Sequence, residues 1–126
     1  MPLRVASPSP YAPSIGFSAA VRTGEWVFVA GTTAVGRDGD VVGDDDPYAQ
    51  AVEVLRKITA ALAEVDATPA DVVRTRIYLT RTEDWESVGR AHGEVFAEAA
   101  PAATMVVTGL LDPRMLVEIE AVAHTG

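Results

Sequence analysis

Residues 117–123 read Val-Glu-Ile-Glu-Ala-Val-Ala, and in this stretch an apolar residue recurs at every second position. From Val117 to Ala123 the odd-numbered residues form one apolar face, while Glu118 and Glu120 lie on the other. A period of two over this length is typical of a β-strand with one buried face. The two carboxylates belong either to a solvated face or to the lining of a cleft, and the periodicity alone does not decide between them.

The residues on both sides extend this pattern into a sheet. A short β-branched run at 105–107 predicts a strand that reaches the one at 117–123 through a turn at 111–114. Further strands are predicted at 17–22, 25–30 and 72–80. The run at 25–30 is dense in apolar residues and predicts a buried strand. Asp38-Gly39 predicts a hairpin turn, because glycine tolerates positive φ.

Two helices are predicted between the strands. Pro47 to about Val65 carries apolar residues at spacings of three and four, with Asp46 as N-cap. A second helix runs from Thr80 or Thr82 to about Ala99. The order β-β-β-α-β-α-β-β predicts an α+β sheet with two helices on one face. The length predicts a single domain over 1–126, in which the proline-rich residues 1–15 form an extended arm.

The charge balance restricts the partners. With 10 basic and 18 acidic residues, the formal net charge is −8, which disfavours nucleic acid and anionic membranes. No segment is long and apolar enough to span a membrane. There is no cysteine, which is compatible with the cytoplasm. The acidic run 44–46 predicts a helix start better than a metal site, and no cofactor motif is present. We expect neither metal nor cofactor.

Several stretches together resemble the Rid family of reactive intermediate deaminases, formerly called L-PSP endoribonucleases. The matching stretches are Ile15–Ser18, Gly24–Gly31, Tyr48–Gln50, Asp71–Thr75 and Val117–Ala121. The resemblance covers nearly the whole chain. It implies a chorismate-mutase-like fold, a homotrimer with ligand clefts between subunits, and hydrolysis of small imines or enamines.

The resemblance also implies site residues. The carboxylate that positions the attacking water corresponds to Glu118, and the backbone group after the second strand corresponds to Gly31. A family tyrosine, an asparagine and the carboxylate-binding arginine correspond to Phe17, Gly89 and Ala103. Since Ala103 offers no guanidinium, we expect weak activity on imines that carry a carboxylate, such as 2-aminoacrylate.

Two further residues complete the predicted site. Arg76 lies mid-strand and is either solvated or a carboxylate clamp moved from position 103. His92 lies on the apolar stripe of the second helix and is either a structural residue or part of the site. In the predicted cleft, Glu118 is the catalytic residue. The ligand is predicted to bind at eight further positions: Phe17, Gly31, Arg76, Trp85, Gly89, His92, Ala103 and Met105.

The sequence therefore favours an atypical Rid-family homotrimer that processes an imine, an enamine or a related carbonyl metabolite. The first alternative is a ligand-binding or regulatory trimer without catalysis. The third hypothesis is ribonuclease activity, which the negative charge opposes. The expected partners are a small-molecule ligand and further copies of the chain.

Overall fold

The strand at the C-terminus lies inside the sheet, with two strands on one side of it and three on the other. In the computed structural model, which describes residues 1–126, the sheet has six strands in the order β1-β2-β3-β6-β4-β5. They are β1 Leu3–Val5, β2 Ala20–Thr23, β3 Trp26–Thr32, β4 Val72–Leu79, β5 Ala102–Val107 and β6 Val117–His124. All neighbours are antiparallel except β4 and β5, which are parallel.

Two long helices cover one face of this sheet, as the sequence predicts. After the single turn α1 (Ala12–Ile15) come α2 (Pro47–Glu64) and α3 (Trp85–Phe96), with short 3₁₀ turns at Pro69–Asp71 and Thr82–Asp84. One cluster of 24 buried residues lies between the helices and the sheet. The odd-numbered residues of β6 point into it, while Glu118 and Glu120 lie on the uncovered face. The α+β fold with two helices on one face is confirmed.

Helix α2 begins where the acidic run predicts. The Asp46 carboxylate accepts a hydrogen bond of 3.0 Å from the Ala49 N–H, and Pro47 occupies the first helical position. This arrangement satisfies one of the free donors of the first turn and adds favourable charge at the positive end of the helix dipole. The predicted helix start is therefore confirmed.

Several boundaries differ from the predictions. The arm is extended only in part. Residues 3–5 pair with β2 as an edge strand, but residues 12–15 form a helical turn that ends at Gly16 with φ of 87°. The Asp38-Gly39 turn closes only one bridge, between Val35 and Val41, and no regular hairpin forms. Helix α3 ends at Phe96, a few residues before the predicted end.

The uncovered face of the sheet is partly apolar. Trp26 and Phe28 on β3 are 45% and 48% exposed, and their rings stack with centroids 6.5 Å apart. The prediction of a fully buried strand at 25–30 is wrong within one subunit, because β3 alternates between the core and this face. Exposed aromatic side chains on a sheet face are typical of a surface that meets another protein chain.

Gln50 connects α2 to two distant loops. It is fully buried, and its amide nitrogen donates to the carbonyls of Gly43 (3.2 Å) and Arg114 (3.1 Å). Its amide oxygen accepts from the Leu116 N–H at 2.8 Å. One side chain thus satisfies three backbone groups, one in the loop before α2 and two in the loop before β6.

We expect Gln50→Leu to lower the free energy of unfolding by about 2 to 4 kcal/mol, because three backbone groups lose their buried partner. Urea unfolding at a fixed protein concentration measures this loss. Glu64→Gln, at the exposed end of the same helix, should change the free energy of unfolding by less than about 0.5 kcal/mol. Equal stability of the two variants would contradict the role of Gln50.

Candidate functional site

A β-bulge in β3 shapes the uncovered face beside β6. Val29 pairs with Ala121, but Thr32 pairs with Ile119, so one extra residue of β3 is inserted between these pairs. The inserted stretch, Ala30-Gly31, lies opposite Glu120. A bulge bends its strand and changes the direction of the neighbouring side chains.

Gly31 in this bulge lies directly against the Glu118 side chain. A Cβ added at Gly31 would be 3.1 Å from Glu118 Cδ and even closer to Oε2. Any larger residue at position 31 would therefore displace the carboxylate. Its conformation does not require glycine, since its φ is not positive. Glycine is needed there for close approach, which holds Glu118 against the backbone of β3.

The environment of Glu118 disfavours its ionised form. The side chain is half-buried and makes no ion pair. Burial, followed by the nearby negative charge of Glu120, raises the pKa of Glu118 above its ordinary value of 4.5. An unpaired carboxylate with a raised pKa beside a bulge can accept and return a proton.

Glu120 is bound to its neighbours instead. The Tyr78 hydroxyl donates a short hydrogen bond to Glu120 Oε1, and Arg76 Nη1 lies 3.5 Å from the same oxygen. The hydrogen bond to Glu120 raises the pKa of Tyr78, so the phenol keeps its proton. Tyr78 and Glu120 raise the pKa of Arg76, so the guanidinium stays charged. We refer to Arg76, Tyr78 and Glu120 as the β4–β6 triad.

A cavity of about 320 Å³ opens beside these groups. Gly31, Tyr78, Glu118 and Glu120 form its sheet side, and the loop 108–111 that follows β5 forms its other wall. Leu111, at the end of that wall, is fully exposed. The cavity volume lies at the lower end of the range that is usual for small-molecule sites.

Other predicted site residues lie on the opposite face of the sheet. Ala103 and Met105 on β5 pair with residues of β4 that point toward the helices. Met105 Cε lies 3.7 Å from the position that a Cβ on Gly89 would occupy, which places it against α3. Trp85, at the start of α3, is 54% exposed, so it does not belong to the buried face of this helix.

His92 is held within this second group. Its Nε2 lies 2.8 Å from Thr75 Oγ1, and its ring packs on Phe96 with centroids 4.7 Å apart. Burial lowers the pKa of His92, so the ring is neutral near pH 7. These contacts favour the structural interpretation of His92 and not a catalytic one.

Phe17 lies in the segment between α1 and β2, not in a strand. The Ala30 N–H donates to the Ala19 carbonyl at 2.9 Å, so the end of this segment lies beside the Ala30-Gly31 bulge. Phe17 is 40% exposed. One subunit therefore brings together Gly31, Arg76 and Glu118, and it separates them from the group on α3 and β5.

The cavity includes residues that sequence reasoning missed. Tyr78 and the loop 108–111 were not among the predicted site residues. Tyr78 shares its strand face with Arg76, and this parity could have indicated it. The loop has no such periodic signal. No group of three or more His, Asp or Glu side chains could hold a metal ion, and no helix is long and apolar enough to cross a membrane.

Comparison with known proteins identifies the family. The profile of the family described as Endoribonuclease L-PSP matches residues 7–125, nearly the whole chain. This chain therefore belongs to that family, also called the YjgF or Rid family, and the resemblance predicted from its motifs is confirmed.

Individual relatives agree with this result. An uncharacterized protein of Streptomyces coelicolor is 42% identical over 125 residues, which cover 98% of this chain and 92% of that protein. A crystal structure from Mycobacterium tuberculosis, of a member of the highly conserved YjgF/YER057c/UK114 family, is 45% identical with a TM-score of 0.88, and the match covers 98% of this chain and 99% of that one. A Rid-family protein of unknown function from Yersinia pestis is 26% identical with a TM-score of 0.86, covering 98% and 99% of the two chains.

The raised pKa of Glu118 predicts how its replacement changes stability. The folded chain keeps the Glu118 proton to higher pH than the unfolded chain, whose value is near 4.5, so ionisation weakens the folded state as the pH rises through this window. We expect Glu118→Gln to unfold at higher urea concentration than the parent at pH 7, and to lose this advantage below about pH 4.

Glu53→Gln on α2 is the matched control with the opposite sign. Arg56 donates to Glu53 at 2.7 Å and holds the pKa of that carboxyl below its ordinary value. This substitution should therefore reduce stability slightly at neutral pH, and the reduction should vanish in acid. A Glu118→Gln variant that is less stable than the parent at pH 7 would show that burial does not penalise the Glu118 charge.

Proposed function

We propose that this protein is a homotrimer that hydrolyses a small imine or enamine, with Glu118 as the group that activates water. Family membership supports a role in small-molecule processing. The observation that carries the finer proposal is the position of Glu118: a half-buried carboxylate without an ion pair, placed against Gly31 at the edge of a cavity.

The reaction needs one group that moves protons between water and nitrogen. The ionised Glu118 carboxylate takes a proton from water while the water oxygen bonds to the imine carbon. The same proton then passes to the nitrogen. Glu118 then takes the proton of the hydroxyl group on carbon as the C–N bond breaks, and it returns this proton to the departing nitrogen, which leaves a carbonyl compound and ammonia or an amine. A raised pKa brings Glu118 closer to the working pH and makes both directions of transfer efficient.

Glu120 is less suited to this task. Its carboxylate already accepts the hydroxyl proton of Tyr78 and lies beside the Arg76 guanidinium. Both contacts occupy this carboxylate and reduce its availability as a base. We therefore assign a positioning role to Glu120, and the family resemblance places the working carboxylate at Glu118.

The trimer would combine the two groups of site residues. Glu118 and Gly31 lie on the uncovered sheet face, whereas Gly89, Ala103 and Met105 lie at the outer edge of the sheet, on α3 and β5. A neighbouring copy that covers the first face with its own edge would close the cavity between subunits. The exposed Trp26–Phe28 pair and the exposed edge strand β5 support such an assembly.

Light scattering at micromolar concentration should give about three times the chain mass of 13.3 kDa. Phe28→Glu should lower this mass toward one chain, because it places a charge on the proposed contact face. Val52→Glu, on the outward side of α2, should leave the mass unchanged. A parent protein that scatters at 13.3 kDa would contradict the assembly.

Kinetics with a series of simple imines tests the catalytic role. Glu118→Gln keeps the side-chain shape and removes the base, so we expect a loss of about 10²-fold or more in the rate of carbonyl formation. Glu120→Gln should lose much less. A Glu118→Gln variant as fast as the parent would exclude Glu118 as the base.

A ligand-binding trimer without catalysis is the second candidate function. One observation favours it: Ala103 supplies no carboxylate clamp, and Arg76 is engaged by Glu120. In that case small molecules would bind, but no imine would turn over in the parent or in Glu118→Gln. Ribonuclease activity is not proposed, given the charge of −8. A cytoplasmic location stays a prediction.

A further inference from the structure

The charged and polar groups around the cavity are not equally available to a ligand. Arg76 is the cation of the β4–β6 triad, and its charge faces the Glu120 carboxylate at 3.5 Å. A guanidinium that is already neutralised by a carboxylate attracts a second carboxylate poorly. The sheet side of the cavity therefore offers no free positive charge.

The hydrogen-bonding character of the cavity points the same way. The Tyr78 hydroxyl donates its only proton to Glu120, so the phenol oxygen can only accept from a ligand. Ionised Glu118 also only accepts. Glu118 and Glu120 together carry two negative charges against one from Arg76. The side chains of the sheet wall thus form a surface of acceptors with an excess of negative charge.

The opposite wall is apolar. Leu110 and Leu111 follow Gly109 in the loop after β5, and the Leu111 side chain is completely exposed. Contact with an apolar group of a ligand would remove the Leu111 side chain from water, which is favourable. A cavity of about 320 Å³ has room for a short hydrocarbon substituent next to the carboxylates.

We propose that this site selects protonated imines that have an apolar substituent and no carboxylate, that is, imines derived from simple amines and not from amino acids. This inference rests on the proposed function and names its substrate class. The protonated nitrogen would donate toward Glu118 and the Tyr78 oxygen, and the substituent would contact Leu111. The steps of hydrolysis remain those given above.

Two amphiphiles with the same branched carbon skeleton and opposite charge test the charge preference without any turnover. Isoamylammonium and isovalerate are titrated into the full-length protein, and the backbone amide shifts of Gly31 and Gly109 report binding. We expect isoamylammonium to bind at least about 10-fold more tightly than isovalerate. Its ammonium group would pair with the carboxylates of the cavity, whereas the isovalerate carboxylate would have no free cation to pair with. Equal affinity, tighter binding of isovalerate, or no binding of either would overturn the inference.

Variants connect this preference to the named residues. Glu118→Gln should reduce the ratio of the two affinities severalfold while the protein stays folded by circular dichroism. Glu53→Gln removes one negative charge from the surface of α2 and should leave the ratio unchanged. An equal change in both variants would show that the overall charge of −8, and not this cavity, sets the preference, which would also overturn the inference.

A matched pair of imines separates this inference from the proposed function. The imine of leucine, formed by an amino acid oxidase, carries a carboxylate; the imine of isoamylamine, formed by an amine oxidase, lacks it. We expect the second to have the higher kcat/KM by about 10-fold or more. Faster hydrolysis of the leucine imine would overturn the substrate class and support the proposed reaction. Hydrolysis of neither, with isoamylammonium still bound more tightly, would contradict the reaction and support the charge preference.

Discussion

The central position of β6 is the constraint on which the rest of the structure depends. This strand pairs with β3 on one side and with β4 on the other, so its backbone has no free edge. Its odd-numbered side chains fill the core beneath the helices. The even-numbered side chains have only the uncovered face available. The same alternation that stabilises the sheet therefore delivers two carboxylates to one surface, where neighbouring strands determine their roles.

Those neighbours give two similar residues different chemistry. Glu120 lies opposite the bulge and is engaged by Tyr78 and Arg76 from β4. Glu118 lies two residues earlier, where Gly31 leaves space for its side chain and no ion pair forms. Two residues of the same type on the same strand face thus differ in availability because of what the adjacent strands contribute. This is a common way in which proteins separate a reactive carboxylate from a supporting one.

The fold was predictable from the sequence because its signals are local. The alternation in β4 and β6, the apolar face of α2 and its Asp46 cap each need only a short window of residues. The Asp38-Gly39 turn was predicted to form a hairpin, but its flanks form only the single bridge between Val35 and Val41. A turn motif predicts the turn itself and not the length of the ladder on either side of it. The exposure of Trp26 and Phe28 could not be predicted either, since composition alone does not say whether one or both faces of a strand are covered.

The site was predictable only in part, because its contacts join residues that are far apart in the sequence. Position and residue type identify Glu118 and Gly31 as candidates, but their contact depends on a one-residue bulge that no periodic pattern reveals. The engagement of Arg76 by Glu120 is a contact between strands far apart in the chain. Ala103 and Glu118 also lie on opposite faces of the sheet, a separation that follows from the parallel pairing of β4 and β5. Tertiary pairing, and not local sequence, determines such relations.

The order of the strands also constrains when the chain can fold on the ribosome. Strand β6 joins the β1-β2-β3 part of the sheet to the β4-β5 part, yet it is the last strand to be synthesised. Until it emerges, the two parts have no common hydrogen-bonded partner, and the apolar face of α2 lacks much of its cover. The nascent chain must therefore remain incompletely folded until β6 has emerged, a period in which unpaired strand edges are open to chaperones or to mispairing. Loss of even the final strand by premature termination would leave two disconnected half-sheets instead of a shortened version of this protein.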